Sequence, residues 1–110
     1  MSPEVITVSP ATTIAEAREL LRTRDIHHLI VAEKQRVVGA LSLTDLVKAA
    51  SDRKVSEVMR RNPSCVERSA SIREAASLMS GTGLGCIPVV ADGALCGIVT
   101  TADLLRAIAP

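Results

Sequence analysis

Val37-Val38-Gly39-Ala40-Leu41-Ser42-Leu43-Thr44-Asp45-Leu46 recurs 58 residues later as Leu95-Cys96-Gly97-Ile98-Val99-Thr100-Thr101-Ala102-Asp103-Leu104. In each copy an apolar run is broken by a glycine, a hydroxyl residue follows, and an aspartate stands three positions on. The apolar run has the length and character of a buried strand. The hydroxyl-x-x-Asp pattern has the form of a helix start. Each copy therefore predicts a strand that turns directly into a helix.

The flanking sequence repeats in the same way. Val5 to Val8 is a short strand ending at Ser9-Pro10. Thr13-Ile14-Ala15-Glu16 is a capping box, and Ile14, Ala17, Leu20 and Leu21 share one face of the helix that follows, to Thr23–Asp25. His28 to Ala32 and Val37 to Leu41 form a hairpin around the polar turn Glu33 to Arg36, and Asp45 to Ala50 is a second helix. Pairing residues 5–52 with 63–110 gives 10 identities in 48 with no gap. Val8, Ile14, Glu16, Ala17, Leu20, Val31, Gly39, Asp45 and Leu46 are among the matched positions, and Ser71-x-x-Glu74 repeats the capping box. Such agreement in caps, helix face and hairpin marks an internal duplication. The expected class is α+β, with two strand–helix–strand–strand–helix repeats. Repeat 1 spans 1–52, a linker with a short helix at Val55, Val58 and Met59 spans 53–62, and repeat 2 spans 63–110. Each half is too small to bury both faces of its sheet, so the expected arrangement packs sheet to sheet about a pseudo-twofold axis.

Composition removes several function classes. The 13 basic and 12 acidic residues balance to a net charge of +1, which offers nothing to a polyanion. The chain has no Phe, Tyr or Trp, so it lacks the stacking platforms of a single-stranded nucleic-acid binder. Cys65, Cys86 and Cys96 are odd in number and lack zinc-site spacing, which fits small core residues of a reducing compartment. No apolar run approaches the ~18 residues of a membrane span, and Met1-Ser2-Pro3-Glu4 opens no signal peptide. A cytoplasmic protein with neither nucleic-acid nor membrane partner is expected. The adjacent His27 and His28 stand near no nucleophile and no paired carboxylates are evident, so no catalytic set and no enzyme is expected. Gly81-Thr82-Gly83-Leu84-Gly85 follows a helix and precedes a strand, the reverse of a phosphate loop, and is a helix stop. Arg53, Lys54, Arg60, Arg61 and Arg68 form a basic group around the linker, which reads as a solvated face, with a rim that attracts phosphate or a patch for an acidic partner as the alternatives.

The repeated turn itself suits a nucleotide. A strand opening into a helix presents free backbone N–H groups and the positive end of a helix dipole. Ser42, Thr44, Thr100 and Thr101 add hydroxyl donors for phosphate oxygens. Asp45 and Asp103 are acceptors for the paired hydroxyls of a ribose. Gly39 and Gly97 leave the strand bare where a planar ring could lie close. For a single copy, plain helix capping explains the hydroxyl and the aspartate equally well.

Gly39 to Asp45 and Gly97 to Asp103 resemble the signature of cystathionine β-synthase (CBS) domains. Val55-Ser56-Glu57-Val58-Met59 is similar to the helix that precedes a second CBS motif, and Pro88-Val89-Val90 to the strand before the hairpin. The likeness covers essentially the whole chain as one tandem pair, a Bateman module. It implies clefts between the repeats that take AMP, ADP, ATP or another adenosyl ligand. One would hold Ser42, Thr44 and Asp45 with residues around Ser64 and Cys65. The other would hold Thr100 and Asp103 with residues around Ile6 and Thr7, and Pro88 joins the implied ligand-binding set. Ile26 to Val31 is similar to the segment whose basic residues meet phosphate in nucleotide-sensing members, which implies that role for His28 and His27. Ala102 replaces Thr44 and Gly85-Cys86 replaces His27-His28 in the second copy, so the two sites should be unequal. The resemblance further implies a disk-like homodimer that passes ligand binding to a regulated partner protein. The competing expectation is a ligand-free structural or dimerisation module.

Overall fold

A computed structural model describes residues 5–82 and 85–108. The chain divides into two units, one running from Ile6 to Pro63 and the other from Ser64 onward, to which Val5 also belongs. The sequence expectations for Met1 to Glu4, and for Gly83 and Leu84 of the glycine-rich helix stop, lie outside the described residues.

The first unit holds β1 (Thr7–Val8), α1 (Ile14–Arg24), β2 (His28–Glu33), β3 (Arg36–Ser42), α2 (Leu43–Lys48), α3 (Val55–Val58) and β4 (Arg60–Arg61). Its sheet has the order β1-β2-β3-β4, with β1 parallel to β2 and the other pairs antiparallel. The second unit holds β5 (Val66–Glu67), α4 (Ile72–Thr82), β6 (Cys86–Ala91), β7 (Ala94–Thr100) and α5 (Thr101–Ile108), with sheet order β5-β6-β7. The duplication reaches the register. Val8 pairs with Val31 and Val66 with Val89, and each hairpin slips by one residue at the same place, between Val31 and Ala32 and between Val89 and Val90.

Local chemistry explains the elements. Thr13 Oγ1 accepts from the Glu16 amide at 3.2 Å and Glu16 Oε1 from the Thr13 amide at 3.3 Å, the expected capping box. Ser71 Oγ accepts from the Glu74 amide at 3.1 Å in the second copy. α1 ends where Asp25 turns left-handed at φ 52°. The hairpin turns place Lys34 and Gln35 at φ 49° and 70°, and Asp92 and Gly93 at φ 53° and 81°. Those angles match the right-handed strand twist, and the Asp-Gly copy adopts them with less strain.

In the first unit Val8, Ile14, Ala17, Leu21, Leu29, Val31, Leu41 and Leu46 form a core between helices and sheet. Val66, Ala75, Met79, Ile87 and Val89 do so in the second. Strand alternation sends Ile30 and Ala40 to the opposite face of the first sheet, where they too are buried.

The segment after α2 differs from a bare linker helix. Val55 is completely buried in the first core, and Val58 and Met59 pack against that core. The chain then extends as β4, an element the sequence did not suggest, and pairs Arg61 with Gly39 and Arg60 with Ala40. Gly39 makes this possible, because a Cβ there would lie 2.3 Å from Met59 Sδ and 3.1 Å from its Cβ. The bare strand expected to accept a planar ring is thus occupied by a methionine at Gly39.

Arg18 closes the other end of this assembly. Its Nε donates to the Leu46 carbonyl at 2.9 Å, its Nη1 to Ser51 Oγ at 2.8 Å, and its Nη2 to the Ala49 carbonyl. Among the described residues the Leu46 carbonyl otherwise accepts only a long bond from the Ala49 amide, at 3.4 Å, so the guanidinium completes the C-terminal end of α2. Arg18→Met keeps much of the aliphatic stem and removes the donors. It should lower unfolding free energy by about 1–3 kcal/mol in urea titrations. An unchanged midpoint would show that these bonds contribute nothing net.

Candidate functional site

β3 passes into α2 without a loop. Ser42 is both the last strand residue and the N-cap, with extended backbone at φ −104° and ψ 166°. Ser42 Oγ accepts from the Asp45 amide at 3.3 Å, and Asp45 Oδ2 accepts from the Ser42 amide at 3.0 Å. The β7–α5 junction repeats this. Asp103 Oδ2 accepts from the Thr100 amide at 2.8 Å and from Thr100 Oγ1 at 3.1 Å, while Thr100 Oγ1 accepts from the Asp103 amide at 3.3 Å. Both aspartates complete reciprocal caps, as the simpler alternative required.

The neighbouring strand also contributes. The Leu43 amide donates to the His27 carbonyl at 2.9 Å, and the Thr101 amide to the Gly85 carbonyl at 3.1 Å. Register places His28 opposite Ser42 and Cys86 opposite Thr100. Two of the three amides that open each helix are therefore occupied. Only those of Thr44 and Ala102 lack a partner among the described residues. The anion-binding capacity expected of a bare helix start is reduced to one N–H per copy, because the cap and the preceding strand take the rest.

Each carboxylate also has a cation that the sequence reading did not assign to it. Arg60 Nε approaches Asp45 Oδ2 at 3.4 Å, and Arg106 Nη2 contacts Asp103 Oδ1. All the bonds to Asp45 fall on Oδ2, and its Oδ1 accepts none from a described residue. Burial opposes ionisation of Asp45, but the Ser42 amide and hydroxyl and the Arg60 charge outweigh it and hold the carboxyl below its usual value. Burial likewise opposes ionisation of Asp103, and the Thr100 amide and hydroxyl with Arg106 outweigh it. Arg106 was legible, since i,i+3 pairs meet on a helix. Arg60 was not, because its place follows from the pairing of β4 with β3.

The remaining expected residues fall as follows. His28 is half-buried and His27 exposed, and Thr44 is exposed on α2. Ile6 is half-buried, while Thr7 lies on β1 along an open groove of about 690 Å3 shared with Glu16 and Glu19, whose charges do not favour a phosphate. Ser64 and Cys65 precede β5 in the second unit, and burial pushes the Cys65 thiol up. Pro88 is fully buried within β6, opposite Ile98. Among the described residues no group of three His, Cys, Asp or Glu side chains could hold a metal ion. Among them, too, no helix is long and apolar enough to cross a membrane.

The two carboxyls imply an acid limb of stability. A folded-state pKa below the unfolded value adds stability that is present above the unfolded value and is lost as pH falls through the folded one. The melting temperature should therefore drop as pH falls below about 4. Asp45→Asn or Asp103→Asn should lower the plateau near neutrality and make the drop shallower. Parallel acid limbs for parent and both variants would show that the caps do not titrate with folding.

The family model of the CBS domain matches residues 1–52 and 55–110. An uncharacterised 17.7 kDa protein of Acidianus ambivalens is 34% identical over 111 residues, covering 96% of this chain and 68% of that protein. The magnesium transporter MgtE of Thermus thermophilus is 35% identical over 112 residues, covering 96% of this chain and 25% of the transporter. Among solved structures, CBSX2 in complex with AMP superposes with a TM-score of 0.86 at 31% identity, covering 97% of this chain and 90% of that one. A CBS domain pair in complex with 5′-methylthioadenosine and S-adenosyl-L-methionine superposes with a TM-score of 0.90 at 28% identity, covering 98% and 94%.

Proposed function

The chain belongs to the CBS-domain family, as a tandem pair, and we propose that it is a regulatory module that binds an adenosine-containing ligand and catalyses no reaction. One observation carries this reading. Asp45 is an ionised, partly buried carboxylate whose Oδ1 accepts no hydrogen bond from a described residue, set beside Arg60 and next to the strand position of His28. A carboxylate oxygen suits the two hydroxyls of a ribose, and a nearby arginine and histidine suit phosphate. AMP, 5′-methylthioadenosine and S-adenosyl-L-methionine, the ligands of the similar solved pairs, share adenosine and differ in phosphate. Adenosine is thus the part of the ligand the comparison supports. Asp45 with Ser42, Thr44 and His28 forms the stronger half-site. Asp103 with Thr100 forms the weaker, because Arg106 occupies its second oxygen and Ala102 and Cys86 supply no matching polar groups. Ligand binding would favour one conformation and pass that bias to a partner protein. The exposed Val47 on α2 and Leu105 on α5, equivalent in the two repeats, fit a homodimer that buries both.

A second reading, a ligand-free interaction module, has its own observation: both aspartates are already accounted for by helix caps. The chain has no Phe, Tyr or Trp, so the pure protein should absorb little near 260–280 nm. A 260 nm band that survives gel filtration and is released by heating supports the nucleotide reading. A flat spectrum, with no rise in melting temperature on adding AMP, methylthioadenosine or S-adenosylmethionine, supports the second.

Asp45→Ala should weaken adenosine ligands at least tenfold while costing about 0.5–2 kcal/mol of stability through the lost cap. Asp103→Ala should weaken them less. Equal binding by both variants and the parent in calorimetry would assign the aspartates to capping alone. If His28 meets phosphate, His28→Gln should weaken AMP more than 5′-methylthioadenosine, which carries no phosphate. Equal losses for the two ligands in calorimetry would remove His28 from the phosphate side of the site.

A further inference from the structure

We infer that Arg60 sets the class of adenosine ligand at the Asp45 half-site: it gives up its contact with Asp45 to take a 5′-phosphate, so the site prefers phosphorylated adenosine over uncharged or cationic adenosyl compounds. The inference rests on the reading of Asp45 as a ribose acceptor and adds which adenosine compounds that acceptor serves.

Main-chain bonds place this arginine. β4 pairs with β3 so that Arg60 stands opposite Ala40 and Arg61 opposite Gly39. The Asn62 amide continues the contact, donating to the Val38 carbonyl at 3.2 Å. The register also sets its direction. Residues directly opposite one another share a face of the sheet, and so do residues two apart on one strand. His28 is opposite Ser42, two positions along β3 from Ala40. Arg60, Ser42 and His28 therefore lie on one face, together with Ile30 and Ala40. It is the face away from the core that Leu29, Val31 and Leu41 form with the helices. The two basic residues stand one strand spacing, about 4.8 Å, to either side of β3. Arg61, the next residue, takes the other face.

The contact with Asp45 is suited to exchange. Arg60 Nε lies 3.4 Å from Oδ2, and the arginine side chain is 44% exposed against 20% for the aspartate. A strong charge-assisted bond is about 2.7–2.9 Å long. Oδ2 keeps the Ser42 amide at 3.0 Å when the arginine leaves. A phosphate offers the guanidinium a shorter, two-pronged contact instead. Charge makes the exchange selective. A ligand whose ribose meets Asp45 carries its 5′ group within a few bonds of that carboxylate. Asp45 acting by itself would repel a phosphate there and attract the sulfonium of S-adenosylmethionine. Arg60 turned to the 5′ group reverses that order, attracting phosphate and repelling sulfonium, so one residue supplies both halves of the discrimination.

Calorimetry of the full chain with AMP, 5′-methylthioadenosine and S-adenosyl-L-methionine is the test. The parent should bind AMP tightest and S-adenosylmethionine weakest, with about tenfold or more between AMP and methylthioadenosine. Arg60→Met keeps the aliphatic stem and removes the charge. It should weaken AMP about tenfold or more, leave methylthioadenosine within about twofold, and tighten S-adenosylmethionine. Arg60→Lys should recover part of the AMP affinity, and Arg61→Met, on the other face, should match the parent. In 15N NMR of the parent, the Arg60 Nε–H signal should move further with AMP than with methylthioadenosine. A parent that binds methylthioadenosine or S-adenosylmethionine as tightly as AMP overturns the inference and leaves the ribose reading standing. So do equal losses of AMP and methylthioadenosine in Arg60→Met, unchanged AMP binding there, an equal loss of AMP in Arg61→Met, or equal movement of the Nε–H signal. Failure of all three ligands to bind the parent overturns the ribose reading itself, and this inference with it.

Discussion

The reciprocal bond between a strand-ending hydroxyl residue and an aspartate three positions on is the constraint from which the rest of each unit follows. It lets β3 become α2, and β7 become α5, without a loop. A junction with no slack fixes where the helix lies over its sheet. That in turn fixes which apolar side chains meet below it, Leu46 in the first copy and Leu104 in the second. The same bonds hold the two carboxyls ionised and partly shielded from water, in the protonation state a diol-binding group requires. Structure and candidate chemistry thus rest on the same two aspartates.

The two copies have diverged around this shared core. Arg18 reaches across to the end of α2, whereas Ala76 at the equivalent position cannot. Ser51 to Met59 seals the first core and leads into β4, which brings Arg60 to Asp45. The second unit reaches a similar charge balance by another route, an arginine one turn along its own helix. The aspartates are retained while their partners diverge, so on the proposed reading the two sites would be unequal in strength.

Much of this was legible in the residues because it is local. Capping boxes, hairpin turns and strand alternation depend on neighbours a few positions away, and Thr13–Glu16, Ser71–Glu74 and both hairpins stand where the pattern placed them. β1 is shorter than the Val5 to Val8 run suggested, because only Thr7 and Val8 find partners on β2. The less legible features are long-range. β4 exists because Gly39 admits Met59 and so lets a strand lie alongside β3, a relation between positions 20 residues apart. The expectation that a ring would lie against Gly39 failed for the same reason: a glycine states that something approaches the backbone, not what approaches. The occupied helix amides follow equally from distant carbonyls, those of His27 and Gly85.

Capping and ligand binding by one aspartate are compatible, and the magnitudes say why. A carboxylate offers about four lone-pair sites, and at Asp45 the cap and the arginine both use the Oδ2 side. A ribose diol meeting Oδ1 would add hydrogen bonds to a charged acceptor, worth about 1.5–3 kcal/mol each. At Asp103 the second oxygen must first be released by Arg106, an exposed side chain. Ion pairs of that kind are worth about 0–1 kcal/mol. On the proposed reading the arginine would therefore lower affinity at the second site by no more than about fivefold and would not close it. The larger difference between the two proposed sites would then come from the groups around the aspartates, with Thr44 and His28 on one side and Ala102 and Cys86 on the other.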